Sequence, residues 1–109
     1  MKTRKVIVMT LENIKTTLQQ KLSMAAGFDS VVKLNFKDDG VLVMDASEDP
    51  ATLSEEDTDE CDLELITSIE TFEGILNGTQ DPNIAFMMGK LKVKGSMGLA
   101  MKLNGILED

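Results

Sequence analysis

Residues 81–103 read DPNIAFMMGKLKVKGSMGLAMKL and contain the clearest local signals of secondary structure in the chain. Asp81 followed by Pro82 is typical of a helix start, because an acidic side chain can cap the first turn and proline fits the first helical position. Lysines then alternate with aliphatic residues from 90 to 94, which predicts a strand with one cationic and one apolar face. Gly95 is expected to break that strand.

The element after Ser96 is ambiguous from its pattern alone. Apolar residues between 97 and 107 fit one face of a helix, but part of the run also fits the alternation of a strand. We favour a helix, because Ser96 can cap its first turn and because Met, Leu, Ala and Lys are good helix formers. Gly98 and Gly105 are unfavourable inside a helix, so we interpret them as points of close backbone contact.

Towards the N-terminus, apolar residues recur at helical spacing and predict a helix over residues 10–25. Thr10 is expected to cap this helix, and Gly27 to end it. Residues 1–9 are interpreted as an N-terminal extension and residues 10–109 as a single domain.

Strand patterns occupy the next part of the chain. Residues 31–37 alternate between apolar and polar side chains and residues 41–46 are mostly apolar, so the Asp-Asp-Gly turn between them predicts a hairpin. The acidic segment 47–60 is expected to be a solvated connection with a short strand near residue 52. Alternation that begins at Cys61 predicts a further strand.

Thr67 and Glu70 have the spacing of a capping box, which predicts a helix that ends at Asn77 and Gly78. The full order is then helix, hairpin, connection, strand, two short helices, strand and helix. This order indicates an α+β fold in which a mainly antiparallel sheet carries helices on one face.

The composition restricts the possible functions. The 109 residues carry 19 acidic and 11 basic side chains, and this net charge of -8 disfavours nucleic-acid binding. With no His and a single Cys, the chain cannot assemble a Cys/His zinc site, an internal disulfide or a Ser-His-Asp triad. A catalytic function would have to rely on scattered carboxylates and lysines, and we do not favour it.

Most of the acidic side chains lie between residues 38 and 81, where 15 of them occur without a basic residue. Residues 55–60 lack the spacing of a calcium-binding loop, so we interpret them as a solvated loop. Cys61 is expected on the apolar face of its strand, buried and inert, since burial and nearby acids raise a thiol pKa.

The segment 81–103 resembles the signature of the lipid-binding domain of the sterol carrier protein type 2 family. The resemblance is carried by the Asp-Pro turn, the Ala-Phe-x-x-Gly-Lys helix end, the Lys-Leu-Lys strand and the Met-Gly-Leu-Ala-Met-Lys-Leu run. It covers residues 10–107 and is strongest after residue 80. It implies a stand-alone, bacterial-type member of the family. A cytoplasmic location is expected as the default for a chain with one Cys and no long apolar run.

The resemblance also implies a five-stranded, mainly antiparallel sheet whose helices enclose an apolar tunnel. The ligand would be a fatty acid, a fatty acyl-CoA, or a sterol-like or isoprenoid lipid, and no cofactor is expected. The residues expected to bind this lipid are Leu34, Phe36, Leu63, Leu65, Ile69, Phe72, Leu76, Ile84, Phe86, Met87, Met88, Leu91, Val93, Met97, Leu99, Met101 and Leu103.

Energetics limit what such a tunnel can be. A pocket of roughly 300 to 1,000 Å³, left empty at about 24 cal/mol per Å³, would cost roughly 7 to 24 kcal/mol, against a typical stability of about 5 to 15 kcal/mol. The cavity must therefore be small, collapsible or occupied. Methionine suits such a site because its flexible thioether repacks around varied shapes. The alternative is that these apolar residues form an ordinary core.

Two functions remain open. The first is non-enzymatic binding, and possible transfer, of lipids, with Lys90, Lys92 and Lys94 contacting an anionic membrane surface. The second is an accessory module that presents a lipid or quinone intermediate to partner enzymes. The lysines could instead form only a solvated face of the sheet.

Overall fold

The computed structural model describes residues 2–22, 28–47 and 51–107, and within its first helix it describes side chains for residues 11–21 only. In these residues, four α-helices and five strands follow one another, with a short 3-10 helix at Lys37–Asp39 between the first two strands. In order they are α1 (Lys2–Leu22), β1 (Val31–Asn35), β2 (Val41–Asp45), β3 (Thr52–Ser54), β4 (Leu63–Thr67), α2 (Ile69–Asn77), α3 (Pro82–Met87), β5 (Leu91–Gly95) and α4 (Met97–Leu107).

The five strands form one sheet in the order β3-β2-β1-β4-β5. Three of its four strand pairs are antiparallel, and β1 and β4 pair in parallel at the centre, with Val32 opposite Leu63 and Leu34 opposite Leu65. The predicted α+β fold, with a mainly antiparallel five-stranded sheet, is confirmed. The predicted hairpin corresponds to β1 and β2, and the short strand expected near residue 52 is β3.

The core lies on the face of the sheet that the helices cover. Val32, Leu34 and Leu63 have no measurable exposure there, and the rings of Phe36 and Phe72 meet with their centroids 5.8 Å apart. Ile14 and Leu18 of α1 and Leu103 and Leu107 of α4 are also buried in this cluster. The helices therefore bury their apolar faces against alternate residues of the strands.

The N-terminal helix differs from the prediction. It begins at Lys2, so Thr10 lies inside α1 and does not cap it. Single-residue cap signals are short, and the residues before Thr10 continue the helix without a breaker. The predicted end of this helix near residue 25 and its predicted stop at Gly27 both fall outside the described residues. The division between an extension at 1–9 and a domain at 10–109 stays a prediction.

The start of α2 also differs from the prediction. Ser68, not Thr67, caps the helix, and its hydroxyl accepts a hydrogen bond from the backbone N–H of Thr71 at 3.0 Å. Thr67 is instead the last residue of β4, where its buried hydroxyl donates to the carbonyl oxygen of Lys90 at 2.8 Å. A hydroxyl side chain therefore caps α2, as predicted, but it lies one residue further along the chain than the sequence indicated.

Cys61 lies before β4, not within it, and is only half-buried. Burial, followed by the charge of Glu64, raises the pKa of its thiol, as the sequence predicted. The prediction of a fully buried Cys61 was wrong, because the strand begins two residues later than the alternation indicated.

Lys33 lies on the outer face of the sheet, opposite to the core, and yet it is only 7% exposed. Its ammonium lies 2.6 Å from a carboxylate oxygen of Asp57, which belongs to the acidic connection after β3. The hydrogen bond between them lowers the pKa of Asp57 and raises that of Lys33. This ion pair holds the part of the acidic connection around Asp57 against the outer face of the central strand β1.

Glycines mark one close backbone approach, but not where the sequence suggested. Among the described residues nothing lies within 4 Å of a Cβ built on Gly105, and at Gly98 the nearest such atom is an ordinary 3.5 Å away. The tight position is Gly95 at the end of β5, where φ is 115° and an added Cβ would lie 2.6 Å from the carbonyl oxygen of Asp62.

Within the described part of the chain, no helix is both long and apolar enough to span a bilayer. Over the same residues, no cluster of three or more acidic or Cys side chains is arranged to hold a metal ion.

We expect Gly95→Ala to lower the free energy of unfolding by more than about 2 kcal/mol, because it adds both backbone strain and a clash with Asp62. Gly105→Ala is the matched control, and it should raise stability by up to about 1 kcal/mol because it improves helix propensity in open space. Urea denaturation followed by circular dichroism measures both. Equal effects of the two substitutions would contradict this account of Gly95.

The Lys33–Asp57 pair makes stability depend on pH. Because the pKa of Asp57 is held below its ordinary value of 3.8, the contribution of the pair is lost as the pH falls through that lowered pKa. Because the pKa of Lys33 is raised above 10.5, the contribution is also lost as the pH rises through that raised value.

We therefore expect Asp57→Asn to lower the melting temperature at neutral pH and to match the unsubstituted chain in strong acid. Glu56→Gln removes an equal charge from the same connection and should have a smaller effect at neutral pH. Thermal melts at a series of pH values test this, and a pH-independent difference for Asp57→Asn would contradict it.

An apolar cavity between the last helix and the sheet

A cavity of about 90 Å³ lies between α4, α2, the start of α3 and the strands β4 and β5. It opens to solvent on one side. Its walls are almost wholly apolar, and they are formed by Leu65, Phe72, Ile75, Pro82, Asn83, Phe86, Leu91, Val93, Met97, Ala100, Met101, Leu103, Asn104 and Leu107.

The last helix supplies six of the fourteen lining residues, because its sequence repeats at helical spacing. Met97, Ala100, Asn104 and Leu107 follow one another at intervals of three or four residues, and Met101 lies four residues after Met97 and three before Asn104, so all five share one face. Leu103 lies beside this stripe and also belongs to the core. Ser96 caps the start of α4, since its hydroxyl accepts a hydrogen bond from the N–H of Leu99 at 3.2 Å.

The sheet and α2 form the deep side of the cavity. Leu65 and Leu91 are buried, and Val93 is half-buried on the same face of β5. Because strand side chains alternate, Lys92 and Lys94 point to the opposite face and are exposed. Phe72 and Ile75 of α2 are buried and close the wall.

Three apolar residues of the cavity lining, Phe86, Met97 and Met101, are exposed and form an apolar rim at its mouth. In and just after α3, Ile84, Met87 and Met88 are exposed as well. The exposed fraction is 46% for Phe86, 73% for Met101 and 82% for Met87. Asp81 fixes α3 beside this mouth, because its carboxylate accepts hydrogen bonds from the N–H groups of Asn83 and Ile84. An apolar cluster this exposed is unusual for a surface that contacts only water.

The residues predicted to bind lipid separate into three groups in the structure. The group that lines the cavity comprises Leu65, Phe72, Phe86, Leu91, Val93, Met97, Met101 and Leu103. The group in or against the core comprises Leu34, Phe36, Leu63, Ile69, Leu76 and Leu99. The third group is exposed in and just after α3, outside the cavity lining, and comprises Ile84, Met87 and Met88. Lipid contact by any of them stays a prediction.

Sequence reasoning missed several lining residues, namely Ile75, Pro82, Asn83, Ala100, Asn104 and Leu107. The spacing from Met97 to Leu107 carries a signal that could have found three of them. Ala100 is small and Asn104 is polar, so neither has the large apolar side chain that is typical of a lipid-binding wall.

The electrostatics of the cavity are simple. Among the residues described as lining it, none carries a titratable side chain, and the polar members are Asn83 and Asn104. Asn83 is exposed at the mouth, whereas the side-chain oxygen of Asn104 is buried. Lys102 of α4 is not among the lining residues, and its ammonium lies 5.6 Å from the centre of the Phe28 ring.

A second depression of about 440 Å³ lies between α1 and α2. It is larger, but its walls are mostly polar and include Asn13, Thr16, Thr17 and Glu73, together with the predicted lipid-binding residue Leu76. Because an apolar ligand gains little from polar walls, the smaller apolar cavity is the candidate site.

The model of the SCP-2 sterol transfer family matches residues 4–108. Hydroxysteroid dehydrogenase-like protein 2 of Bos taurus is 29% identical over 99 residues, which are 90% of this chain and 24% of that protein. Non-specific lipid-transfer protein-like 1 of Caenorhabditis elegans is 34% identical over 68 residues, which are 62% of this chain and 58% of that protein. The chain thus spans about a quarter of the length of the first of these relatives.

Among solved structures, sterol carrier protein 2 like 2 of Aedes aegypti superposes with a TM-score of 0.72 at 20% identity. The superposition covers 91% of this chain and 97% of that one. At this level of identity the likeness concerns the fold, and it extends over nearly the whole of both chains.

Proposed function

This chain belongs to the SCP-2 sterol transfer family, and from that premise we propose that it binds a lipid in the cavity beside α4 and releases it unchanged. The observation that carries the proposal is an apolar cavity, free of titratable groups among its described lining residues, that opens at an apolar rim. Such walls bind hydrocarbon and offer no acid, base or nucleophile for catalysis.

The size of the cavity sets a condition on this function. At about 90 Å³ it is well below the roughly 300 to 1,000 Å³ of a pocket for a drug-sized ligand. A fatty acid, acyl-CoA, sterol-like or isoprenoid chain therefore requires the walls to move apart. The contracted state avoids the cost of a large void, and the methionines of the rim can repack as the cavity fills.

The direction of opening follows from the packing. Met97, Ala100 and Met101 on the cavity side of α4 are half-buried or exposed, while Leu103 and Leu107 are fixed in the core. Displacement of the first turns of α4 costs fewer buried contacts than displacement of its end. We therefore expect ligand entry at the α3 and α4 rim.

A substitution that fills the cavity should weaken lipid binding without weakening the fold. Ala100→Leu adds three carbon atoms to the lining, so we expect it to raise the melting temperature and to weaken binding of a fluorescent fatty acid at least tenfold. Gly105→Leu is the control, since it places the same side chain in open space on α4. Delipidated protein that gains no fluorescence with this probe, or with other labelled lipids, would refute the proposal.

Exchange with membranes is the second part of the proposal. The rim is apolar, and Lys90, Lys92 and Lys94 are exposed in and just before the neighbouring strand β5. Lys90 lies three residues after the end of α3, whereas Lys92 and Lys94 lie on the outer face of the sheet. A bilayer with anionic headgroups would accept the apolar side chains and attract these lysines.

Each lysine near an anionic membrane contributes about 1 kcal/mol, which is about fivefold in affinity. We therefore expect Lys90→Gln to weaken sedimentation with phosphatidylserine vesicles about fivefold, with no effect on binding to phosphatidylcholine vesicles. Lys37→Gln removes the same charge at the β1–β2 turn and should have a smaller effect. Equal losses for the two variants would show that net charge, rather than this surface, governs binding.

One observation favours the second candidate function. A relative named as dehydrogenase-like is about four times as long as the segment it shares with this chain. An accessory function, in which the cavity presents a lipid or quinone intermediate to an enzyme, is consistent with that arrangement. Lipid binding without exchange between vesicles would favour the accessory function over transfer.

A cytoplasmic location remains part of the proposal.

A further inference from the structure

Asn104 is the one feature of the cavity that its apolar chemistry does not explain. It lies in α4 between Ala100 and Leu107 on the face that lines the cavity. Its side-chain oxygen Oδ1 is buried and has no hydrogen-bond partner among the described residues. Asparagine is also a weak helix former inside a helix.

Residues 2–22, 28–47 and 51–107 supply no partner for this oxygen. The neighbouring lining side chains are aliphatic, aromatic or thioether groups, and the other polar lining residue, Asn83, is exposed at the mouth. An acceptor placed in this way is destabilising in the empty state. A group on a molecule inside the cavity is the donor that this position can reach.

The chemistry of Oδ1 restricts that molecule. An amide oxygen accepts hydrogen bonds, so its partner must carry an O–H or N–H group. A carboxylate or phosphate only accepts and would be buried beside Oδ1 without a cation, since no Lys or Arg belongs to the described lining. We propose that Asn104 accepts a hydrogen bond from the hydroxyl of a neutral amphiphile that enters the cavity polar end first.

This proposal rests on the proposed lipid-binding function and adds a ligand class to it. It assigns Asn104 as the residue that distinguishes a neutral alcohol from an equally apolar molecule without a donor. Anionic lipids can still bind, but with their charged heads at the open mouth.

Two isomers test the distinction, because 1-tridecanol and dodecyl methyl ether have the same atoms and only the alcohol can donate. Their affinities are measured by displacement of 1-anilinonaphthalene-8-sulfonate from the delipidated full chain. We expect the alcohol to bind about three- to tenfold more tightly than the ether. Asn104→Leu should abolish this preference while raising the melting temperature of the empty protein.

The control is Asn83→Leu, which makes the same change at the exposed mouth and should retain the preference for the alcohol. Equal affinities of the two isomers for the unsubstituted chain, or a preference that survives in Asn104→Leu, would overturn the assignment. Failure of both isomers and of the labelled lipids to bind would instead refute the lipid-binding function itself, so the two failures are distinguishable.

Discussion

The parallel pairing of β1 with β4 is the contact on which the rest of this fold depends. It joins segments about 30 residues apart in sequence and brings Val32, Leu34, Leu63 and Leu65 together in the core. From this pair β4 leads through Ser68 into α2, and β5 adds to its free side. The deep wall of the cavity, with Leu65, Leu91 and Phe72, therefore exists only once this long-range pair has formed.

A cavity protein must reconcile two opposing demands, since apolar walls bind lipid but an unfilled void destabilises the fold. This chain meets them with an unequal distribution of packing. Phe36, Phe72 and Leu103 are tightly buried on one side, whereas Met97 and Met101 remain exposed on the other. The buried side chains are concentrated where the sheet meets the helices, and the exposed apolar side chains lie in and just after α3 and in the first half of α4. The proposed enlargement of the cavity would therefore displace the less buried part of its wall.

Much of the architecture could be predicted from the sequence, because its strongest signals are local. Asp81 and Pro82 start α3, Gly78 caps α2 in the left-handed conformation, and alternating lysines define β5. Signals that depend on a single side chain were less reliable. Thr67 and Ser68 are both able to cap a helix, and only the strand contact of Thr67 with Lys90 decides between them.

The site was less predictable than the fold, because burial depends on partners distant in sequence. Lys33 looks solvent-facing in its strand until Asp57 folds over it. Apolar residues of the core and of the cavity have the same pattern, so Leu34 and Leu65 could not be separated in advance. Asn104 was overlooked because a polar residue on an apolar stripe is normally read as an interruption of that stripe.

The lysines of β5 have a consequence that concerns association between molecules. This strand is at the edge of the sheet, where backbone groups could pair with the edge of another copy and extend the sheet. Lys92 and Lys94 are exposed on it, so two such edges brought together would place four ammonium groups side by side. Repulsion between these lysines therefore disfavours edge-to-edge aggregation through the strand that lies next to the apolar rim.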